Sequence, residues 1–231
     1  MIEMFTKQIG AGFAAAIVLL CATSAGAATI NFNVDRSYTN GSNNYTSTDG
    51  SVTVGVDGVR VNNSGTIINT SNFWTASWDG ASNRSGLGVY DCRWQNRCLD
   101  NHLIDGRGPD EFALIDFGDL TVEVTSVTFS YWDRRDTFAF GTYDSSVLPA
   151  TAVIYEENLG DGNSNPYTHY FGAGEVTGSL IGFGADSWRD NFALQSITFN
   201  VLSAVPLPTG LALLLTGLCG LGFMHRRRQF A

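Results

Sequence analysis

Between residues 28 and 204 the apolar residues alternate with polar ones, and this constrains the fold more than any other feature. Thr29-Ile30-Asn31-Phe32-Asn33-Val34 changes character at every step, and Ser51-Val52-Thr53-Val54 and Gly65-Thr66-Ile67-Ile68 do so more weakly. Trp74–Trp78, Phe112–Phe117, Leu120–Tyr131, Thr151–Tyr155, Gly178–Phe183 and Phe192–Leu202 complete the set. A period of two sends successive side chains to opposite faces of a strand. Asp49-Gly50, Asp57-Gly58, Asp79-Gly80 and Asp161-Gly162 supply turn chemistry between the segments. No amphipathic stretch of helical period separates them, which argues against parallel βαβ units. The expected fold is all-β, a single jelly-roll-like antiparallel β-sandwich.

Two of the segments change phase. Leu120, Val122 and Val124 occupy one face, and then Val127, Phe129 and Tyr131 resume in the opposite register. Phe192 and Leu194 are followed in the same way by Ile197, Phe199 and Val201. Without compensation, such a slip would turn every later side chain to the wrong face. β-bulges near Thr125-Ser126 and near Gln195-Ser196 are therefore expected. Segments 35–50 and 156–175 read as loops, because residues 39–49 contain no apolar aliphatic side chain and residues 157–166 are similarly polar, with Leu159 alone as an exception.

The two ends carry targeting signals. Lys7, an apolar run from Ile9 to Cys21 and the small residues Ala25-Gly26-Ala27 form a secretory signal peptide, residues 1–27, with cleavage after Ala27. Leu20 before Cys21 is too large for a good lipoprotein site. At the other end, Leu207–Met224 is 18 residues without a charge. As a helix it would cover ~27 Å, about one hydrocarbon core. Arg226, Arg227 and Arg228 follow and would stay on the cytoplasmic side, leaving the 28–204 domain outside.

That domain holds 21 acidic residues against nine arginines and no lysine. So acidic a chain is a poor partner for nucleic acid, whose phosphates demand a basic face. Cys92 and Cys98 are its two cysteines and, in an oxidising compartment, read as a disulfide worth about 2 kcal/mol. A metal site there would need two further ligands, and only His102 is near in sequence. Asp100, Asn101, Asp105, Asp110 and Glu111 form the densest set of hard oxygens and are a candidate calcium site. The competing reading is a turn-rich acidic loop that caps its own backbone. In Asp133-Arg134-Arg135-Asp136 the charges are expected to pair with one another, and Asp186, Asp190 and Asn191 form a third polar group before the last strand. Trp94, between the cysteines, is the candidate for stacking on a sugar ring, whereas Trp132 and Trp188 are expected in the core. The domain's histidines are His102 and His169, and no Gly-x-Ser-x-Gly, His-Glu-x-x-His or phosphate-loop pattern occurs. No catalytic residues are therefore assigned, although abundant carboxylates leave a secreted hydrolase as an alternative.

The tail Val205-Pro206-Leu207-Pro208-Thr209-Gly210-Leu211, its apolar helix and Arg226-Arg227-Arg228 resemble the PEP-CTERM sorting signals of Gram-negative bacteria, closest to the VPLPA variant. Thr209 stands where that variant commonly has Ala. The resemblance covers residues 205–229 and implies export by the Sec translocon, removal of the leader by signal peptidase and processing by an exosortase. It implies a transient inner-membrane stage followed by release to the cell surface or extracellular matrix. Gly86-Leu87-Gly88-Val89, Leu99-Asp100-Asn101, Asp110-Glu111, Phe112–Phe117 and Asp190-Asn191-Phe192-Ala193-Leu194 are similar to the extracellular domains that often precede such tails. That likeness implies a β-sandwich and brings no catalytic residues. The expected role is structural or adhesive, in contact with exopolysaccharide, with a carbohydrate- or calcium-binding module as the alternative.

Overall fold

The computed structural model describes residues 26–33, 37–40, 43–69, 73–78, 81, 83–91, 102–107, 110–144, 147, 149–160 and 162–204. Seventeen strands and no helix occur among them. The first part of the chain forms β1 (Ala28–Asn31), β2 (Ser37–Asn40), β3 (Asn43–Thr46), β4 (Thr53–Val61), β5 (Thr66–Asn69) and β6 (Phe73–Trp78). Next come β7 (Gly86–Asp91), β8 (Ile104–Asp105), β9 (Asp110–Asp116), β10 (Leu120–Ser130) and β11 (Phe138–Tyr143). The last part forms β12 (Ala150–Thr151), β13 (Ile154–Leu159), β14 (Tyr167–Tyr170), β15 (Thr177–Gly178), β16 (Leu180–Gly184) and β17 (Asn191–Ala204).

These strands make two antiparallel sheets. One runs β14-β10-β17-β7-β6-β2, with β1 and β8 also on β17 and β15 on β10. The other runs β12-β5-β4-β9-β16-β11-β13, with β3 on β4. One buried cluster takes residues from both sheets: Ile30, Leu87, Val124, Phe129, Ile197 and Phe199 from the first, and Val56, Ile115, Phe140, Ile181 and Phe183 from the second. The two sheets therefore share a single core.

Both expected bulges are present in the β10–β17 pair. Val124 lies opposite Phe199 and Ser126 opposite Thr198, so Thr125 is the extra residue. Phe129 lies opposite Leu194 and Thr128 opposite Ser196, which leaves Gln195 as the extra residue on the other strand. Val122, Val124, Val127 and Phe129 are all fully buried as a result. The Gln195 bulge also marks a change of neighbour. Leu194 pairs with β7 and Ser196 with β1, and the Gln195 carbonyl accepts the Phe32 N–H at 2.9 Å.

The second sheet is apolar on both faces. In β4, Val54 and Val56 face the shared core, while Val59 and Val61 join Ile67, Phe112, Leu114 and Leu180 on the other side. The sheet curls to cover that second face, forming a half-barrel. Its edge strands β12 and β13 lie at opposite ends of the strand order, yet only Ala152 and Val153 separate them in the chain. Ala152 N–H donates to the Gly65 carbonyl at 3.1 Å and Val153 N–H to the Thr142 carbonyl at 2.7 Å, stitching the edges together. Glycine makes the curl possible at Gly184, where an added Cβ would fall 2.1 Å from Phe112 Cδ2 and 2.2 Å from the Glu111 carbonyl oxygen.

The two segments expected to be loops contain strands. Residues 35–50 hold β2 and β3, and residues 156–175 hold the end of β13 and all of β14. Single aromatic anchors replace an aliphatic stripe there. Tyr45 packs edge-on against Phe32 at 5.0 Å, and Tyr167 stacks on Trp132 at 4.5 Å. One ring every several residues leaves no periodicity for sequence reading to detect.

Candidate binding cleft

Two loops carry nearly the same four residues before a strand: Arg135-Asp136-Thr137-Phe138 entering β11 and Arg189-Asp190-Asn191-Phe192 entering β17. Each phenylalanine is fully buried, and each packs on Phe129 with centroids 4.8 Å apart. Each aspartate is buried and reaches across to the other loop. Thr137 N–H donates to Asp190 Oδ1 at 2.9 Å, and Asn191 N–H donates to Asp136 Oδ1 at 3.1 Å. The remaining oxygen of each caps its own loop. Asp136 Oδ2 accepts Asp133 N–H at 2.5 Å, while Asp190 Oδ2 accepts Asp186 N–H at 3.1 Å and Ser187 N–H at 2.7 Å. The result is a reciprocal clasp between two distant parts of the chain.

Asp186 extends the clasp to a third segment. Its Oδ1 accepts the Thr137 hydroxyl at 2.8 Å, a hydrogen shared with Asp190 Oδ1 at 3.3 Å, and its Oδ2 accepts Asn158 N–H. Trp132 holds the first loop from beneath, buried among Phe129, Phe192 and Tyr167, with its indole N–H on the Gly162 carbonyl at 3.0 Å. Burial pushes Asp136 up to about 6, against the Asp133 amide that favours its anion. Burial likewise pushes Asp190 up to about 7, with the neighbouring Asp186 carboxyl adding to the rise and the Thr137 amide opposing it.

Above the clasp lies an open cleft of about 570 Å³. Arg135 and Arg189, the residues preceding the two clasp aspartates, line it with Arg107 from the loop after β8. Three of the domain's nine arginines thus meet at one place in a strongly acidic chain. Trp188 projects from the second loop with 67 % of its surface exposed, and the Arg189 guanidinium carbon lies 4.9 Å from its ring centroid. Tyr131, Asn191 and the carboxylates Asp133 and Asp136 complete the walls, and Tyr131 adopts a left-handed φ of 58° where β10 turns into the loop.

The structure corrects two expectations about these residues. Trp188 is a surface side chain, because it sits at the crest of a loop whose following residues turn inward. The aspartates of the 133–136 group spend their oxygens on backbone amides: Asp136 on Asp133 and Asn191, and Asp133 Oδ1 on Arg135 N–H at 2.6 Å. The expected carboxylate–arginine pairing within that group gives way to these bonds, which leave the Arg135 guanidinium to the cleft. Asp186, Asp190 and Asn191 tie the last strand to an earlier loop through direct hydrogen bonds. The repeated Arg-Asp-polar-Phe pattern was the signal available for this site.

The candidate calcium residues are divided. Asp105 is buried, its Oδ1 accepting Arg107 N–H at 2.8 Å and its own N–H donating to Glu111 Oε2 at 3.2 Å. Asp110 precedes Glu111 on β9, so the two side chains leave opposite faces of the sheet. Burial pushes Asp110 up to about 6, with Asp186 and Glu157 adding to the rise. Asp100, Asn101, Trp94, Cys92 and Cys98 lie outside the described residues, as does the sorting motif Val205, Pro206, Leu207, Pro208, Arg226, Arg227 and Arg228. Among the described residues no cluster of three or more His, Cys, Asp or Glu could hold a metal ion, and no helix is long and apolar enough to cross a membrane.

No protein-family model matches the chain, and neither the curated proteins nor the solved structures contain a match to it.

Proposed function

We propose that this chain is an exported surface or extracellular-matrix protein whose jelly-roll-like β-sandwich has a non-catalytic, adhesive role. The cleft is the observation that carries this reading. The buried carboxylates Asp136 and Asp190 are committed to holding two loops together, while three guanidiniums and an exposed indole line the cleft with Asp133. Such a site is furnished for holding a ligand. The leader, the Val-Pro-Leu-Pro motif, the apolar helix and the three terminal arginines support export and exosortase sorting.

A C-terminal tag followed through export tests the sorting. In a strain containing an exosortase, the tag should be lost from the mature wild-type protein. It should persist when Pro206 and Pro208 are both replaced by Ala. A wild-type tag that stays on the mature body would overturn the sorting claim.

A further inference from the structure

We infer that the cleft binds a carboxylated polysaccharide, with Arg107, Arg135 and Arg189 taking uronate carboxylates and Trp188 stacking on a pyranose face. This deepens the adhesive reading and rests on it.

Charge distribution gives the first reason. At physiological salt the influence of carboxylates away from the cleft fades over about 8 Å. A ligand inside the cleft therefore responds chiefly to the groups lining it, three guanidiniums against the two carboxylates of Asp133 and Asp136. Asp136 lines the cleft with both oxygens already on backbone amides, and burial pushes it up to about 6, so its negative charge is reduced in mildly acid surroundings. Asp133 is the opposing exposed carboxylate, with one oxygen already on the Arg135 amide.

Geometry gives the second. Arg135 and Arg189 occupy equivalent positions in two clasped loops, each anchored by an Asp and a buried Phe. Two planar forks held on a shared base suit a polymer that presents carboxylates at regular intervals. A lone small anion would need only one of them. Trp188 adds an apolar plane, which favours a sugar ring over a simple polyanion. The cleft is open to solvent.

The test uses the full chain purified in detergent, titrated by calorimetry with polygalacturonate, its fully methyl-esterified form and poly-L-glutamate. Polygalacturonate should bind, and raising salt should weaken it. The methyl ester and polyglutamate should each bind at least about fivefold more weakly, since one lacks charge and the other lacks rings. Arg135→Ala and Arg189→Ala should each lower affinity by about five- to tenfold, in the range of a charged hydrogen bond discounted for exposure. Trp188→Ala should lower it comparably and leave the melting temperature unchanged. Equal binding of the methyl ester would overturn the role of the arginines. Equal binding of polyglutamate would overturn the role of the sugar ring. Absence of polygalacturonate binding would overturn the proposal outright. Sorting is read from the tag in cells, so its failure is separable from failure here.

Discussion

The loop clasp and the interior of the curled sheet both bury polar groups, and they treat them in opposite ways. In the clasp, each oxygen of Asp136, Asp186 and Asp190 meets an amide or hydroxyl donor. Inside the curl, the hydroxyls of Tyr143 and Tyr155 are buried with no hydrogen-bond partner among the described residues. Burial raises the pKa of both tyrosines. Phe112 and Tyr155 lie stacked with centroids 6.3 Å apart, so ring packing holds this interior. Polar groups in the clasp specify where the chain goes, whereas those in the curl are carried along by the rings that bear them.

Asp190→Ala should break this comparison most clearly. It strands the Thr137, Asp186 and Ser187 amides in a buried place. The expected loss is about 3–4 kcal/mol, measured by urea unfolding. Asp136→Ala should cost less, because two amides depend on it. If Asp190→Ala unfolds at the wild-type urea concentration, the clasp is ornamental.

Gly184→Ala sharpens the other side. Its Cβ would press on the Phe112 ring and on the Glu111 carbonyl, which is backbone and cannot rotate away. A loss of about 3 kcal/mol is expected from overpacking, with the same measurement.

Changing pH separates the two regions further. Asp136, Asp190 and Asp110 have folded-state pKa values of about 6, 7 and 6, all above the ordinary 3.8. Folding therefore favours their protonated forms. That contribution is complete below the unfolded value and disappears as pH rises through 6 to 7. The protein should be more stable at pH 5 than at pH 8, by on the order of 2 kcal/mol. Asp190→Ala should flatten this dependence, and a melting temperature that climbs from pH 5 to pH 8 would contradict the burial of these carboxyls. Well below pH 4 the trend meets an opposing one at Asp49, which its hydrogen bonds with Ser47 and Ser51 hold at about 2.

The smallest effect belongs to Tyr143→Phe and Tyr155→Phe. Removing a buried hydroxyl that has no partner should leave stability unchanged or raise it by up to about 1 kcal/mol. A loss above that range in calorimetric melting would mean that the hydroxyls are hydrogen-bonded in solution, and the contrast with the clasp would narrow.

Much of the sheet structure was legible in residue order. A side chain's face on a strand is a local property set by the pleat, so the phase slips at Thr125 and Gln195 located both bulges before any partner strand was known. Strands β2, β3 and β14 escaped because polar residues and isolated rings carry them. β11 escaped because all six of its residues are buried, which removes the alternation.

What residue order determined, then, was an all-β chain, the position of its bulges and its acidity. Only the tertiary structure decided that Trp188 faces water and Trp132 does not, that Asp110 and Glu111 diverge, and that Arg107, Arg135 and Arg189 share one cleft. Alternation is written between neighbours two residues apart. The cleft instead depends on Asp136 and Asp190, 54 positions apart, meeting each other's loops. Their burial reflects the desolvation and hydrogen bonding of several segments at once, and no single stretch of the chain contains that sum.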